Sequence, residues 1–235
     1  MDKTIAVDDL GDVAAWYGKL ASLGDFVQRR VPPECLQRLD GWLSTAMRDG
    51  RELLGERWLD VYLTAPVLRF GWAPGVIDSR WWFGLLMPSC DSVGRYFPLV
   101  IAQPRARAPE DRIAFDHLEL WYDHVAQAAM RTLSDDGGGS LEALEGALRE
   151  APPWPTPGRA PTVTARETLH GDHLGLAPSA TLHQWLHGLA LRDLNRRLAG
   201  CTLWWRVTGD RLGDSVDILH GLPDGADFAA LLRGD

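Results

Sequence analysis

Apolar residues recur along this chain in two rhythms, and their order lays out the elements. After Pro32-Pro33, Leu36, Leu39, Leu43 and Met47 return at three- and four-residue intervals, the spacing of one helix face. Proline is tolerated in a first helical turn, so the pair opens this helix. Gly50 is expected to stop it. A second helical stretch over Glu52 to Leu63 carries Leu53, Leu54, Trp58 and Leu59, and Pro66 limits it. Ahead of both, Trp16 to Val27 reads as an extended segment broken by Gly18 and Gly24.

The rhythm then changes. Val67 to Trp72, Trp81 to Met87 and Tyr96 to Gln103 are apolar runs of strand length bounded by turn residues,. The link from Pro88 to Gly94 is too short for a crossover helix, so the last two runs should pair antiparallel. Pro98 has no N–H to give a ladder and is expected at a bulge or on a free edge. Helical spacing returns with Phe115, Leu118, Trp121/Tyr122, Val125 and Ala129, and Asp135-Asp136-Gly137-Gly138-Gly139 ends that stretch. Ser140 is placed to cap a short helix through Arg149, with Leu141, Leu144 and Leu148 as its apolar face.

Further on, Ser179 to Leu198 reads as a helix with Leu182, Leu186 and Leu189 on one face and Gly200 as its stop. Thr202 to Val207 and Ser215 to Leu219 form a hairpin around Gly209-Asp210, and a last short helix uses Phe228, Leu231 and Leu232. Strands adjacent in sequence, with helices grouped between them, predict an α+β fold: an antiparallel sheet flanked by helices. We expect one domain over residues 13–235. Its main part is 13–150, the stretch 151–161 with five prolines is a linker, and 162–235 holds the C-terminal helix, hairpin and short helix.

Composition narrows the function. Of 235 residues, 46% are hydrophobic and 24% charged, the values of an ordinary globular protein. A chain of this size can bury a sufficient core without disulfides or metals. The net charge of −8 argues against a general nucleic-acid binder, whose footprint is a basic field. Arg29-Arg30 and Arg196-Arg197 read as solvated faces. Cys35, Cys90 and Cys201 are far apart and show no metal-ligand spacing,. The acidic stretch Met1 to Asp12 lacks the pattern of a signal peptide, and the longest apolar run, Trp81 to Met87, is too short for a membrane span. A cytoplasmic location is expected.

Tryptophan stands out, with 11 residues against 4 Tyr and 6 Phe. Trp81-Trp82 and Trp204-Trp205 are tandem pairs, and adjacent residues on a strand face opposite sides. Each pair therefore places an indole on both faces of a sheet, and both faces must be covered by helices or by a partner.

Catalytic patterns are weak. His183 and His187 stand at i and i+4 on a helix, as in a zinc metalloprotease, but Gln184 occupies the position of the required glutamate. An amide cannot take the proton from a metal-bound water. A metal-dependent hydrolase using His183 and His187 is thus the alternative, not the leading reading. His170-Gly171-Asp172-His173 fits no standard metal site and reads as a polar turn. No serine elbow, P-loop or dinucleotide fingerprint is present,. No cofactor is expected, and the chain is not expected to be an enzyme. Asp25 reads as an Asx-type turn in preference to a buried pair with Arg95.

Several segments stand in a telling order and spacing: Trp16-Tyr17-Gly18-Lys19-Leu20, Gly24-Asp25-Phe26-Val27, Asp40, Trp42-Leu43, Trp58, Tyr62-Leu63, Ala65-Pro66, Arg69-Phe70, Gly84, Met87-Pro88-Ser89, Asp91, Val93 and Gly94-Arg95-Tyr96-Phe97-Pro98-Leu99. Together they resemble the TagF family of type VI secretion accessory proteins. A weaker trace follows in Leu203-Trp204-Trp205 and Gly221-Leu222-Pro223. The sequence departs from the family at Ala21, where proline is usual, and at Cys90, where an aliphatic residue is. The resemblance implies a fold like longin or profilin-like domains. It also implies a non-enzymatic regulator that represses type VI assembly or firing after translation by binding a forkhead-associated scaffold protein, in a pathway with a kinase and phosphatase. A longin-like docking module for a GTPase or membrane-associated complex is a further alternative. For the binding surface we select Lys19, Ser22, Asp25, Asp91, Ser92, Arg95 and Tyr96, with Trp204 or Trp205 as aromatic anchor.

Overall fold

The computed structural model describes residues 13–134, 139–154, 164–168, 171–175, 181–208 and 211–234, with the backbone path alone at 164–168, 171–175, 182–185, 207–208 and 211–214. The acidic leader, Asp135 to Gly138, most of the proline-rich stretch, His170 and the Gly209-Asp210 turn lie outside the described residues. So do the side chains of Asp172, His173, Leu182 and His183.

Seven strands form one sheet. They are β1 (Ala15–Gly18), β2 (Val27–Arg29), β3 (Leu68–Trp72), β4 (Trp81–Met87), β5 (Leu99–Arg105), β8 (Cys201–Thr208) and β9 (Arg211–His220). Their order is β2-β1-β5-β4-β3-β8-β9, and every neighbouring pair is antiparallel. The helices are α1 (Pro33–Leu54), α2 (Trp58–Thr64), α3 (Arg112–Arg131), α4 (Leu141–Arg149), α5 (Leu182–Leu198) and α6 (Gly225–Arg233). The expected α+β architecture is present. A separate hairpin of β6 (Thr164–Thr168) and β7 (Gly171–Gly175) was not foreseen, because its alternation is short and polar.

Strand alternation divides the sheet into two cores. Phe70, Trp72, Trp82, Leu86, Val100 and Trp204 face one side, against α1, α2 and α6. Trp81, Phe83, Leu85, Met87, Leu99 and Ile101 face the other, against α3 and α4. The period of two explains why a seven-residue run such as β4 is apolar throughout and buried at every position,. The tandem tryptophans behave accordingly: Trp81 and Trp82 fall into opposite cores, and Trp204 and Trp205 likewise. Trp154 packs onto Phe83 and Trp121 with ring centroids 5.4 and 5.2 Å away, so the start of the proline-rich stretch is anchored to the sheet.

Capping residues act where their chemistry predicts. The Ser140 side chain accepts from the Ala143 N–H and opens α4, and the Asp111 and Asp224 carboxylates do the same for α3 and α6,. Gly50 does not stop α1, contrary to the expectation. Its missing side chain serves packing instead, since a Cβ there would lie 3.2 Å from the Trp58 ring. The break comes at Gly55, whose φ of 55° is a positive backbone angle that glycine adopts at little cost. Pro98 is neither in a bulge nor on an edge: it precedes Leu99, where the β5 ladder begins. On α3, Phe115 stays exposed while Leu118, Trp121, Tyr122 and Val125 are buried. On α5, Leu186 is half exposed and Leu189 intermediate, so the expected apolar face is not a buried one.

Candidate functional site

The two loops that carry the clearest motifs meet at one end of the sheet. The first follows β1, where Gly18 takes a φ of 142° and its Cα passes so close to Pro98 that any Cβ would collide with the Pro98 carbonyl. That close approach brings Lys19 beside the loop from Ser89 to Phe97. Ser89 ties them together: its hydroxyl donates to the Lys19 carbonyl at 2.8 Å, while its N–H donates to the Tyr62 hydroxyl at 3.0 Å.

Asp91 is the centre of the arrangement. Its Oδ2 accepts from Lys19 Nζ at 2.9 Å and from Arg95 Nε at 2.7 Å. Its Oδ1 accepts from the backbone N–H groups of Val93 and Arg95. Burial works against charge on this carboxylate, but these donors outweigh it and hold its pKa well below the ordinary carboxylate range,. The Asp91 side chain is fully enclosed and that of Lys19 nearly so, whereas Arg95 keeps 59% of its side chain open. Arg95 also donates to the Gly24 carbonyl and so clips the first loop to the second.

The selected residues thus divide into three groups. Lys19 and Asp91 are buried and build the loops; they do not form a surface. Ser22, Asp25, Ser92, Arg95 and Tyr96 are exposed around them. Asp25 makes a local bond, accepting from the Phe26 N–H at 2.8 Å, and the partner of Arg95 is Asp91. Trp204 and Trp205 lie elsewhere in the sheet. Trp204 is wholly buried with Phe70 and Trp72, and Trp205 packs edge-on against Tyr122, so Trp204 is a core residue and not an anchor.

Beside the loops runs an open groove of about 920 Å³. One wall is the α1 face of Ser44, Met47, Arg48, Arg51 and Glu52; the other is Phe26, Gly94, Arg95 and Tyr96, with Trp58 and Phe97 also lining it. Phe26, Leu59 and Tyr96 are 46%, 39% and 39% exposed there. Phe26 is held by contacts with Tyr17 and Phe97 and by Lys19 Nζ, 4.8 Å from its ring centroid. Sequence reasoning missed Arg48 and Arg51. Their spacing of three is a visible signal, but on an amphipathic helix it reads as an ordinary solvated face.

Nucleophile and metal chemistry find little support among the described residues. No group of three His, Cys, Asp or Glu side chains is placed to hold a metal there. His187 is half-buried on α5. The cysteines are free, and burial together with the neighbouring Asp78 charge pushes the Cys35 thiol up to about 11, leaving it protonated at neutral pH. No described helix is long and apolar enough to cross a membrane.

The model of the TagF N-terminal domain, type VI secretion system-associated, matches residues 15–151. The chain belongs to this family. The matched TagF region holds both loops, both walls of the groove and five strands of the sheet. Beyond it, the fold is similar to the crystal structure of PA0076 from Pseudomonas aeruginosa PAO1, with 30% identity over 94% of each chain and a TM-score of 0.71. This second likeness therefore extends over the C-terminal strands β8 and β9 as well. No curated protein matches the chain significantly.

Proposed function

We propose that this TagF-family chain is a non-enzymatic cytoplasmic accessory protein that restrains type VI secretion by binding. Its partner is a forkhead-associated scaffold protein, and the kinase and phosphatase of the pathway act on it only indirectly. The observation that carries the reading is the family match over residues 15–151, and the direction of control follows from the family resemblance. The two motif loops support it physically, because their buried ionic pair fixes an exposed arginine and aromatic rim in place. Rigidly held aromatic and arginine side chains are the residue types that dominate protein interfaces.

The test is a pull-down of the purified scaffold by the tagged chain, paired with a secretion assay in a deletion strain. Retention of the scaffold and raised secretion are expected. Unchanged secretion after deletion contradicts the regulatory role.

A further inference from the structure

The groove differs in charge from the molecule that carries it. The whole chain has a net charge of −8, yet the groove is lined by Arg48, Arg51 and Arg95 against the single carboxylate of Glu52. Arg51 is exposed and makes no ion pair with a described residue. Arg48 pairs with Asp49, both well exposed, and such a surface pair contributes little and exchanges readily. Arg95 is fixed by Asp91 with most of its side chain still open. Between these guanidinium groups lie the exposed apolar surfaces of Phe26, Leu59 and Tyr96.

We propose that this groove binds an extended acidic segment of a partner protein, with carboxylates on Arg48, Arg51 and Arg95 and apolar side chains on Phe26, Leu59 and Tyr96. The inference rests on the reading of the chain as a binding protein and adds the chemistry of what it binds. Guanidinium groups match carboxylates bidentately, which gives direction as well as affinity. The α1 wall from Ser44 to Glu52 rises about 12 Å, the span of roughly four extended residues. A short motif fits that length. A nucleic acid would also be attracted locally, but the chain's net charge of −8 repels a long polyanion.

The experiment is a fluorescence-polarisation titration of the full chain with a labelled hexapeptide alternating glutamate and leucine, and with its lysine–leucine counterpart. Saturable binding of the acidic peptide alone is expected. It should weaken at least about tenfold in Arg51→Glu, equivalent to about 1.4 kcal/mol, and weaken also in Tyr96→Ala. Melting curves of both variants close to that of the unchanged protein separate lost binding from lost folding. Absent binding, equal binding by Arg51→Glu, or equal affinity for the basic peptide overturns the proposal. A concentration-dependent dimer that Arg51→Glu dissolves assigns the groove to a second copy and also overturns it. Scaffold pull-down with the same variants distinguishes the two readings. An unchanged chain that retains the scaffold but does not bind the acidic peptide removes the groove proposal alone. Peptide binding without scaffold retention removes the scaffold and keeps the groove.

Discussion

Asp91 and Glu145 lie near opposite ends of β1, and each is a buried carboxylate met by two basic side chains. At Asp91 the cations are Lys19 and Arg95. At Glu145 they are Arg30 and Arg149, with the Trp16 indole N–H donating at 2.7 Å. The difference lies in water. Lys19 is as enclosed as Asp91, whereas Arg30 keeps 27% and Arg149 62% of its side chain exposed. The Glu145 cluster pins α4 and the turn after β2 to the sheet, and solvent can replace part of what it loses. The Asp91 cluster has no such reserve on its inner side. On its outer side Arg95 emerges into the groove, so one ionic centre builds the loop and presents its surface.

This contrast orders the expected effects. Asp91→Asn leaves the Lys19 ammonium buried without a counter-charge, the costly way to break an enclosed pair. For a chain of this size we expect Tm to fall by about 10 °C, measured by circular dichroism. Glu145→Gln keeps an acceptor for Trp16 and leaves two cations that reach water, so the fall should be smaller, about 4 °C. Equal falls would erase the distinction.

Acid should sharpen it. Both carboxyls have folded pKa values below their ordinary ones, Asp91 because its donors outweigh burial and Glu145 chiefly through the Arg30 hydrogen bonds. Each therefore contributes stability that is complete above the ordinary carboxylate pKa of about 4 and drains as pH falls through the lowered folded value. Denaturation midpoints should be flat near neutrality and decline below about pH 4. Asp91→Asn should flatten that decline more than Glu145→Gln does.

Arg51→Glu is the mildest change for the fold. The side chain is exposed, and its stability effect should stay within about 0.5 kcal/mol. Arg95→Glu, by contrast, would set a carboxylate against Asp91 and confuse binding with folding. Arg51 is therefore the cleaner probe of the surface.

Much of this architecture is legible in the amino-acid order. β4 is bounded as its apolar run is, and the Ser140 cap and the opposite facing of Trp81 and Trp82 follow from local rules. Local rules also explain the failures. Gly50 looks like a stop because its contact, the Trp58 ring, lies across a helix bend that no spacing reveals. Lys19 and Asp91 are conspicuous polar residues in loops, and nothing local says that they bury each other 72 residues apart. Arg48 and Arg51 resemble any solvated helix face until the 94–97 loop is brought beside them. The family motifs mark the inner structure of the site more clearly than its outer surface.

The most direct test of binding through this surface is quantitative retention of the purified forkhead-associated scaffold by the unchanged chain and by Arg51→Glu, with their melting curves measured alongside. Closely matching Tm values are expected, with scaffold bound only by the unchanged chain. Equal retention by a folded Arg51→Glu would contradict binding through this surface.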